Sequence, residues 1–544
     1  MNAPAAFNVA DLFEAVADCC GDRSALVAGR DRLTYRALDE TAAQWATQFS
    51  DLGVGRGDRV ALMLRNSAPH VAALLGAFKL RAVPFNVNLH YTPEEIRHLL
   101  TDADPTLVVC EDTATATVRA ATDLLPRGGT TPTPPVHPLG RITGGLARLS
   151  PLPRRHDRRA DDLYLLYTGG TTGLPKGVEW RQDDLFFAAL GGDQHLGSPL
   201  TEPADVTRTL GAHGTRMLVA CPLMHGTAQW VTLGTLLSGG TVVLFTDDTF
   251  DAVALLDLAE REEVAQLVLV GDAFAVPLAD ALDRQPGHWN LDRLVAVASG
   301  GAALAPGTAA RLLHHLDGAV VVDGYGTSET GGQARRVHLA GMPDRAPGFV
   351  PGPDTTLVAS DGTTVDRRST ALGRIGRTGR LPLRYRNDPE RSADTFRTID
   401  GVRWALTGDL GRWMPDGTIE LVGRGERTVN SGGEKVDALE VEGVVRDHPA
   451  VADAMVVGIP DPRFGEVVGL LVRLAPGASL SAEQLARFCR MSLARFKLPR
   501  RVLVVADLPR TPAGKPDYRA AVAQLTATAQ MDADAHVTGH ETPG

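Results

Sequence analysis

A glycine- and threonine-rich loop directly after a strongly apolar segment is the feature that most limits how this chain can fold. The segment LYLLYT has the composition of a buried strand, and the sequence continues without a break into GGTTGLPKGVEW. Glycines let successive backbone N–H groups converge on an anion, threonine hydroxyls add donors, and a lysine adds positive charge. The segment therefore predicts a polyphosphate-binding loop at the end of a buried strand. Its residues are Thr168, Gly169, Gly170, Thr171, Thr172, Gly173, Lys176 and Gly177.

This loop differs from the common P-loop. A P-loop has Ser or Thr directly after its lysine and a helix that opens there, whereas here Gly177 follows Lys176 and Pro175 precedes it. A glycine-rich surface hairpin is the simpler alternative. The density of glycines and threonines with a lysine, directly behind a buried strand, disfavours that alternative.

The length and charge of the chain limit its classes of function. Its 544 residues are more than one hydrophobic core usually organises, which predicts at least two domains. The formal net charge is -10 and there is no long basic block, so nucleic acid is disfavoured as a partner. The densest basic group, residues 154–159, also contains Asp157 and is predicted to be a solvent-exposed loop.

Cysteine use and the N-terminal sequence indicate a protein of a reducing compartment. The five cysteines lack C-x-x-C spacing and support neither a disulfide framework nor a zinc site. The N-terminal residues contain no basic segment followed by an apolar core, and the longest apolar stretch is interrupted by Lys79 and Arg81. We therefore expect a cytoplasmic protein without a membrane span.

Alternating helix-like and strand-like segments predict an α/β fold. Thr92, Pro93 and Glu95 form a helix-start signal, and a strand-like segment at residues 106–110 follows that helix. Similar apolar runs at other positions end in polar or glycine-rich turns, as in a parallel sheet whose carboxyl ends face a ligand. These runs lie at residues 162–168, 294–299 and 320–323.

Two breaks in this pattern predict the domain organisation. Residues 125–160 are rich in Pro, Gly, Thr and Arg and are predicted to form a long surface connection. After TIELVGR the chain reads as a helix followed by two strands, which is typical of a small α+β domain. We predict an N-terminal domain at 1–422, a hinge at 423–426, a small C-terminal domain at 427–525 and a disordered tail at 526–544.

The glycine- and threonine-rich loop resembles the signature loop of the adenylate-forming superfamily, which includes acyl-CoA synthetases, peptide-synthetase adenylation domains and luciferases. Four later segments resemble further motifs of this superfamily in its own order, so that the five motifs span residues 167 to 515. These segments are ASGGA, DGYGTSETGG, WALTGDLGRWMPDGTIELVGRGER and LPRTPAGKPDY. The resemblance covers nearly the whole chain and is strongest to actinobacterial acyl-CoA synthetases of the fatty-acid and sterol side-chain kind.

The resemblance implies a fold, a reaction and several residue roles. The expected fold has a large N-terminal adenylating domain with parallel and mixed sheets in layered subdomains, and a small mobile α+β C-terminal domain. The expected reaction activates a small-molecule acid with ATP and Mg²⁺.

The resemblance also implies roles for single residues: Glu329 is the implied Mg²⁺ carboxylate, Ser328 lies near the α-phosphate, and Tyr325 stacks on adenine. Asp409 holds the ribose hydroxyls, and Arg424 reaches ribose or phosphate. Further implied nucleotide-site residues are Gly301, Asp323, Gly324, Gly326 and Thr327.

These roles also suit the chemistry of the residue types. A carboxylate such as Asp409 can accept two hydrogen bonds from a ribose diol. Mg²⁺ takes few protein oxygens when phosphates supply others, so Glu329 suffices. Attack of a carboxylate on the α-phosphate builds negative charge that preorganised cations stabilise. Lys176 is one such cation, and by resemblance Lys515 is another, in contact with the substrate carboxylate and α-phosphate during adenylation.

The acid pocket is predicted from weaker signals. His225 in PLMHGTAQW is an implied pocket wall, although a lone histidine among apolar residues is equally often part of a core. Each of the other pocket candidates can also be either a pocket wall or a structural residue, because a strand-to-helix turn or a core residue gives the same sequence pattern. These candidates are Gly226, Trp230, Gly271, Asp272, Phe274, Ser299 and Gly300.

The C-terminal segment NSGGEKVDALEVE resembles its acyl-CoA synthetase counterpart and favours CoA as a co-substrate. Gly433 is the implied border of a pantetheine tunnel, and Lys435 is expected near the nucleotide or the thiol route. In the superfamily the small domain rotates between two half-reactions. The hinge residue falls at Glu426, where Asp or Lys is more usual, and backbone rotation tolerates this glutamate.

Some departures from those relatives leave the substrate open. Arg384 and Arg386 stand where the relatives tend to have Gly or an aromatic residue, which is either neutral drift or the mark of a specialised enzyme. A CoA-independent enzyme that activates nitrite for diazotisation, or forms an amide, is therefore a second hypothesis. A catalytically silent nucleotide-binding protein is a third, and the retained lysines and carboxylates disfavour it. A homodimer is left open.

Overall fold

The computed structural model describes residues 7–126, 133–168, 175–192, 200–211, 214–341, 348–424, 428–510 and 517–537. The described chain divides into two compact units, and the main boundary along the sequence lies between Gly423 and Arg424. Helices cover parallel and mixed sheets in the larger unit, and the smaller unit is α+β. The predicted α/β class is therefore confirmed. The hinge at 423–426 stays a prediction, and residues 425–426 lie outside the described residues.

The largest sheet of the first unit has parallel inner strands and antiparallel edges. The inner strands are short, apolar and mostly buried, as expected for strands covered on both faces. Their carboxyl ends face the candidate site. In spatial order the strands are β15 (Val350–Pro351), β14 (Gly331–His338), β13 (Val320–Thr327), β12 (Ala296–Gly300), β11 (Gln266–Leu269), β9 (Arg216–Val219), β10 (Thr241–Leu244), β1 (Ser24–Ala28) and β2 (Asp31–Thr34).

Three further sheets complete the strands of the larger unit among its described residues. One is parallel, with β4 (Val83–Asn86), β3 (Arg59–Met63), β5 (Leu107–Cys110) and β6 (Val136–Pro138) in that order. A second is antiparallel, with β18 (Arg384–Tyr385), β8 (Lys176–Arg181) and β7 (Leu163–Thr168). The third contains β16 (Thr355–Val358), β17 (Leu372–Arg377), β20 (Val402–Trp413) and β19 (Phe396–Ile399), with β21 (Ile419–Arg424) beside β20.

Helices pack apolar faces on these sheets, and the helix that starts at Pro93 begins at the capping residues that the sequence predicts. At the predicted start signal, the Thr92 N–H donates to Glu95 at 2.8 Å and the Glu95 N–H donates to Thr92 Oγ1 at 3.3 Å. Among the described residues, no helix has the length and apolar character that a membrane crossing requires. The helices of the larger unit are α1 (Val9–Cys20), α2 (Tyr35–Asp51), α3 (Ala68–Leu80), α4 (Pro93–Ala103), α5 (Thr115–Asp123), α6 (Leu139–Leu146), α7 (Gln182–Ala189), α8 (Gly226–Leu237), α9 (Ala252–Arg261), α10 (Gly271–Arg284), α11 (Pro306–His315) and α12 (Pro389–Thr395).

A buried ion network lies beneath α1 and includes Arg158, whereas most of the basic loop at 154–159 is solvent-exposed, as the sequence predicts. The Arg158 side chain is 1% exposed and binds Glu14 Oε2 at 2.8 Å and Asp11 at 2.5 Å. Lys79, which interrupts an apolar stretch, binds the other Glu14 oxygen at 2.5 Å. Arg158 is thus drawn inward because carboxylates on α1 need cations once they are buried. We call Asp11, Glu14, Lys79, Arg81, Arg158 and Asp162 the α1 network.

The segment predicted as a long surface connection at 125–160 also needs correction. It contains β6, which extends the parallel sheet, and α6, whose Ile142 and Leu146 are buried one helical turn apart. Glycine and threonine dominate the composition of α6, so its two core contacts were not apparent from composition. Burial of this i, i+4 apolar pair outweighs the low helix propensity of those residues.

The smaller unit has a sheet covered on both faces. Its strands are β23 (Glu434–Asp437), β22 (Thr428–Ser431), β25 (Gly465–Leu474) and β24 (Val451–Asp461), with β26 (Arg501–Val504) parallel to β25. Its helices are α13 (Ala438–Arg446), α14 (Ala482–Cys489) and α15 (Tyr518–Val537). The helix α15 continues past residue 526, where the sequence predicts a disordered tail, because the alanine-rich segment has high helix propensity. Residues 538–544 lie outside the described residues.

Candidate active site

Strands β7 and β8 bring the two ends of the glycine- and threonine-rich loop together. They pair antiparallel, with Thr168 opposite Lys176, so the lysine stands at the start of β8. The apolar residues of β7 are buried, as the sequence predicts for this strand. The loop residues Gly169, Gly170, Thr171, Thr172 and Gly173 lie outside the described residues, and their phosphate-binding role stays a prediction.

Glu329 lies in the tight turn that joins β13 to β14. Its backbone N–H donates to Thr327 Oγ1 at 3.2 Å, and Thr330 Oγ1 lies 3.0 Å from the same hydroxyl. The neighbouring Ser328 is held by its carbonyl, which accepts the indole N–H of Trp180 at 2.9 Å. Threonine hydroxyls therefore satisfy the backbone of a buried turn that no ladder bond could reach. The 4% exposed Glu329 is fixed at the end of a core strand.

Lys176 and Glu329, predicted for one site from separate motifs, are in contact. The Lys176 Nζ atom lies 3.0 Å from Glu329 Oε1. The phenol of Tyr385 joins them, since its oxygen lies 2.8 Å from Lys176 Nζ and 2.7 Å from Glu329 Oε1. The ammonium also stands 4.3 Å from the centre of the Tyr385 ring. Burial first, and then the Glu329 charge, raises the pKa of this phenol, which keeps it neutral and able to donate.

Sequence reasoning missed Tyr385, although it singled out both neighbours of this tyrosine. Arg384 and Arg386 bind the buried carboxylate of Glu179 at 2.8 and 3.0 Å. Side chains alternate between the faces of a strand, so Tyr385 points away from the arginines and towards the face of Lys176. The alternation of side chains along this strand was the sequence signal that could have identified Tyr385. The unusual arginines thus hold a strand pair together rather than mark a different substrate site.

Tyr325 and Asp409 form a second pair of predicted nucleotide-site residues in direct contact. The Tyr325 hydroxyl donates to Asp409 Oδ2 at 2.7 Å, and Thr407 Oγ1 lies 3.3 Å from the same oxygen. Tyr325 is on β13 and Asp409 on β20, so two different sheets supply the pair. The Tyr325 ring packs edge-on against Phe349 with centroids 6.0 Å apart. A carboxylate held by hydroxyls is thus placed beside an aromatic ring.

Asp323 lies at the centre of the β12–β13–β14 ladder. It faces Ser299 on one side and Arg336 on the other, and Arg336 Nη2 binds its carboxylate at 2.5 Å. Burial raises the pKa of Asp323 to about 6, against the lowering effect of the Arg336 charge. Gly300 and Gly324 stand opposite each other in the next register. The remaining predicted β13 residues, Gly326 and Thr327, follow at the carboxyl end of this strand.

Glycines at the starts of α8 and α10 allow close approach around the carboxyl end of β12. A Cβ atom at Gly226 would lie 2.7 Å from Leu166 Cδ2, and one at Gly271 would lie 2.4 Å from the Ala303 carbonyl oxygen. Gly271 also has φ +54°, a conformation that side chains disfavour. Its N–H donates to Ser299 Oγ at 3.0 Å. Gly271 and Ser299 therefore meet, whereas Gly226 packs against Leu166 of β7, and Gly301 directly follows β12, which ends at Gly300.

His225, at the start of α8, and Trp230, within it, are both half-buried. His225 precedes the helix, and its carbonyl accepts the Gln229 N–H at 3.2 Å. Trp230 packs edge-on against Trp180 with ring centroids 6.3 Å apart. Since Trp180 also holds the Ser328 carbonyl, α8 is packed through these two indoles towards the Glu329 turn. Asp272 accepts the Ala305 N–H at 3.1 Å, and Phe274 packs on Phe250 in a separate core.

The remaining predicted residues belong to the C-terminal part of the chain. Gly433 lies in the turn of the β22–β23 hairpin, and Lys435 stands opposite Asn430 in it. Lys515 lies outside the described residues, as does the side chain of Arg424. Their predicted roles stay predictions.

The donor groups present show whether the site suits the metal ion that the motifs imply. Across the described ranges, no group of three or more His, Cys, Asp or Glu side chains is arranged to hold a metal ion. An all-protein cage is therefore absent from those ranges. Glu329, a single buried carboxylate beside a cation, fits a Mg²⁺ ion that takes most of its ligands from phosphates and water.

Comparison with known proteins agrees with this arrangement. The sequence profile of the AMP-binding enzyme family matches residues 13–373, and that of the AMP-binding enzyme C-terminal domain matches residues 440–515. A medium-chain acyl-CoA ligase, Mig, from Mycobacterium avium is 38% identical, covering 94% of this chain and 97% of that protein. The 3-oxocholest-4-en-26-oate–CoA ligase of Rhodococcus rhodochrous is 34% identical, covering 94% and 95%.

A solved structure shows the same fold. The amide bond synthetase McbA from Marinactinospora thermotolerans superimposes with a TM-score of 0.78 at 26% identity, covering 94% of this chain and 99% of that one. Family profiles, full-length relatives and fold agree, and the chain belongs to the AMP-binding enzyme family.

Proposed function

We propose that this protein is an ATP-dependent, AMP-forming acid–CoA ligase. The observation that carries the proposal is the contact of Lys176 with Glu329. Tyr325, which binds Asp409, lies four residues before Glu329 in the chain. A site that binds a nucleoside triphosphate requires a cation, a carboxylate, an aromatic ring and an acceptor for the ribose diol. Full-length relatives named as CoA ligases support the same activity.

The first half-reaction forms an acyl-adenylate. A carboxylate oxygen of the acid attacks the α-phosphorus of ATP, a new P–O bond forms, and the bond to the β-phosphate breaks to release pyrophosphate. Lys176 holds positive charge near the phosphates, where negative charge grows in the transition state. Asp409 and Tyr325 bind the nucleoside and orient the α-phosphate. Glu329 would hold Mg²⁺ beside the phosphates, where the ion would supply further charge neutralisation.

The second half-reaction transfers the acyl group to CoA. The thiol sulfur attacks the acyl carbon, a C–S bond forms, the C–O bond to AMP breaks, and the thiol proton passes to solvent. Gly433 borders the thiol route in this proposal, and Lys435 lies near it. A hinge at 423–426 exchanges this face for the Lys515 loop between the half-reactions.

Substitution of Lys515 separates the two half-reactions. Because Lys515 acts on the adenylation transition state, Lys515→Ala is expected to reduce adenylation sharply while ATP affinity changes little. The same variant still converts supplied acyl-adenylate and CoA to thioester. Wild-type adenylation by Lys515→Ala would reject the assignment of this loop.

A medium-chain fatty acid or a sterol side-chain acid is the proposed substrate class, because relatives carry those names. The second candidate is CoA-independent transfer to an amine, which the likeness to an amide bond synthetase favours at lower identity. Both candidates share adenylation and differ in the acceptor. We also propose a cytoplasmic location, and a homodimer stays a prediction for sedimentation analysis.

The deciding experiment measures AMP release by the purified protein over a panel of acids. Medium-chain fatty acids, 3-oxocholest-4-en-26-oate, aryl acids and nitrite are each supplied with ATP and Mg²⁺, with and without CoA or an amine. The ligase proposal expects thioester only when acid, ATP, Mg²⁺ and CoA are all present. Amide formation without CoA would support the second candidate, and no AMP release with any acid would reject both.

A further inference from the structure

Tyr385 stands between the cation and the carboxylate of the candidate site, and no motif assigns it a role. We infer that Tyr385 is a positioning residue that orients Lys176 and Glu329 for nucleotide and metal binding. The inference rests on the proposed function and extends it to a residue outside the recognised motifs.

The direction of both hydrogen bonds follows from the chemistry of the three groups. An ammonium can only donate, so the Tyr385 oxygen accepts from Lys176 over 2.8 Å. A phenol has one proton, and the ionised carboxylate accepts it at Glu329 Oε1 over 2.7 Å. Lys176 and Tyr385 thus meet on the same carboxylate oxygen, and each group fixes the direction of the other two.

The tyrosine is itself held firmly. It is 2% exposed, and its backbone N–H donates to Ser392 Oγ at 2.9 Å. Its ring packs on Phe396 with centroids 5.5 Å apart, and its backbone pairs with Val178. Lys and Glu side chains have several rotatable bonds and lose considerable entropy when ordered. A rigid phenol that contacts both reduces the motion that ligand binding would otherwise have to restrict.

A phenylalanine at this position separates the role of the hydroxyl from that of the ring. Tyr385→Phe keeps the packing on Phe396 and the ring face under the Lys176 ammonium. It removes only the oxygen that links the two charges. If Tyr385 served packing alone, Phe would replace it without any effect on metal binding.

The test measures Mn²⁺ as a spectroscopic substitute for Mg²⁺, in the presence of α,β-methylene-ATP. Electron paramagnetic resonance of free Mn²⁺ gives the affinity of the full-length protein, independent of turnover. Because a hydrogen bond to a charged group is lost, Tyr385→Phe is expected to weaken Mn²⁺ binding about tenfold. Adenylation kcat is expected to fall, with KM for the acid within about twofold of wild type. Unchanged Mn²⁺ affinity would overturn the inference.

Tyr35→Phe is the matched control. Tyr35 is also fully buried, and its hydroxyl contacts the carbonyls of Leu236 and Gly240 at 2.9 and 2.7 Å. Its substitution is expected to lower the melting temperature and leave Mn²⁺ affinity unchanged. If Tyr35→Phe weakened Mn²⁺ binding as much as Tyr385→Phe, the effect would be general destabilisation and the inference would fail.

A double-mutant cycle tests whether Tyr385 acts through Glu329. In a Glu329→Gln background, Tyr385→Phe is expected to change Mn²⁺ affinity by less than about twofold, since the charged acceptor is already gone. Independent, multiplying effects would contradict action through Glu329.

A second measurement does not depend on the folding of Tyr385→Phe. 3-Fluorotyrosine at position 385 keeps the hydroxyl, and its ¹⁹F resonance is expected to shift when Mg²⁺ is added with the ATP analogue. The same label at position 35 is the control and is expected to stay constant. A constant resonance at 385 would overturn the inference. Wild-type protein that binds Mn²⁺ with the analogue but adenylates no acid would reject the proposed function alone.

Discussion

Two groups of buried charged side chains in the larger unit differ in what neutralises them. In the α1 network each carboxylate contacts a guanidinium or an ammonium, as when Glu14 binds Lys79 at 2.5 Å and Arg158 at 2.8 Å. In the candidate site hydroxyls take part as well. Asp409 accepts from the Tyr325 phenol at 2.7 Å, and the Tyr385 phenol shares Glu329 with Lys176.

We propose that this difference separates charges that support the fold from charges that take part in the reaction. A buried charge that only supports the fold is best held by an opposite charge, because any other arrangement leaves it poorly solvated. A carboxylate that also accepts from hydroxyls can exchange those hydroxyls for ribose hydroxyls or a metal ion and keep its contact with a cation, such as that of Glu329 with Lys176. Cations neutralise carboxylates in both regions, so the additional phenol and threonine hydroxyls are the property that distinguishes the candidate site.

The largest expected effect is on stability, from a change within the α1 network. Glu14→Gln leaves Lys79 and Arg158 without their shared partner, and loss of one partner from a buried pair typically costs about 3 to 5 kcal/mol. Urea unfolding measures the loss, and adenylation per folded molecule should stay at the wild-type rate. Glu483→Gln, in an exposed pair with Arg487, is the control and should leave the melting temperature unchanged. A stable Glu14→Gln protein would show that the network does not support the fold.

The next effect is on catalysis, with little change in stability. Glu329→Gln removes the proposed metal carboxylate and should lower the rate of adenylation about 100-fold. The folding free energy should change less than in Glu14→Gln, because one cation rather than two loses a carboxylate, Lys176 is more exposed than Lys79 or Arg158, and the Tyr385 hydroxyl still binds it. Glu420→Gln, a half-exposed change in β21, should retain the wild-type rate. Destabilisation equal to that of Glu14→Gln would remove the distinction between the two regions.

A smaller effect is expected at the Tyr325–Asp409 pair. Asp409→Ala should weaken ATP and AMP binding together by about 1.5 to 3 kcal/mol, since a charged acceptor for the ribose diol is lost. Calorimetry with AMP measures it directly, and Asp361→Ala in an exposed turn is the control. AMP affinity equal to that of wild type would reject the ribose role.

The smallest effect is a pair of opposite pH dependences. Burial raises the pKa of Glu14, but the hydrogen bond from Arg158 and the charges of Lys79 and Arg158 outweigh burial, so its pKa lies below the ordinary value. Glu14 therefore contributes stability above its unfolded pKa of about 4.3 and loses it as pH falls through the folded pKa. Asp323, with its pKa raised to about 6, contributes stability at low pH and loses it as pH rises through about 6.

Urea unfolding from about pH 2 to pH 7 tests these signs, because the Glu14 change falls below its unfolded pKa of about 4.3. Asp323→Asn should remove a decline in stability towards neutral pH, and Glu14→Gln should remove a decline towards acid. Identical pH profiles for wild type and both variants would contradict the assigned shifts.

The larger features of the fold were accessible from sequence because they depend on local patterns. The strand before the loop, the helix start at Thr92 and the parallel arrangement near residues 294–323 all follow from apolar runs and their end signals. The α6 helix and the burial of Arg158 were missed. The burial of Arg158 depends on Glu14, 144 residues away, and the α6 helix depends on the burial of Ile142 and Leu146 in the core; composition does not reveal such contacts.

The candidate site was accessible in part for the same reason. Lys176, Glu329 and Asp409 stand in recognisable motifs, so their association could be predicted before any distance was known. Tyr385 stands in a two-residue strand between two unusual arginines, and only the pairing of that strand with β8 shows which face it occupies. The sequence therefore predicted the charges of the site and missed the neutral group that joins them.

The most direct measurement is acid-dependent exchange of labelled pyrophosphate into ATP, without CoA. Exchange requires reversible formation of an acyl-adenylate and no acceptor, so it tests adenylation separately from transfer. We predict exchange with at least one medium-chain fatty acid or sterol side-chain acid in wild type, and about 100-fold less in Glu329→Gln. Tight ATP binding without exchange for any acid in the panel, or equal exchange by wild type and Glu329→Gln, would contradict an adenylating site at Lys176 and Glu329.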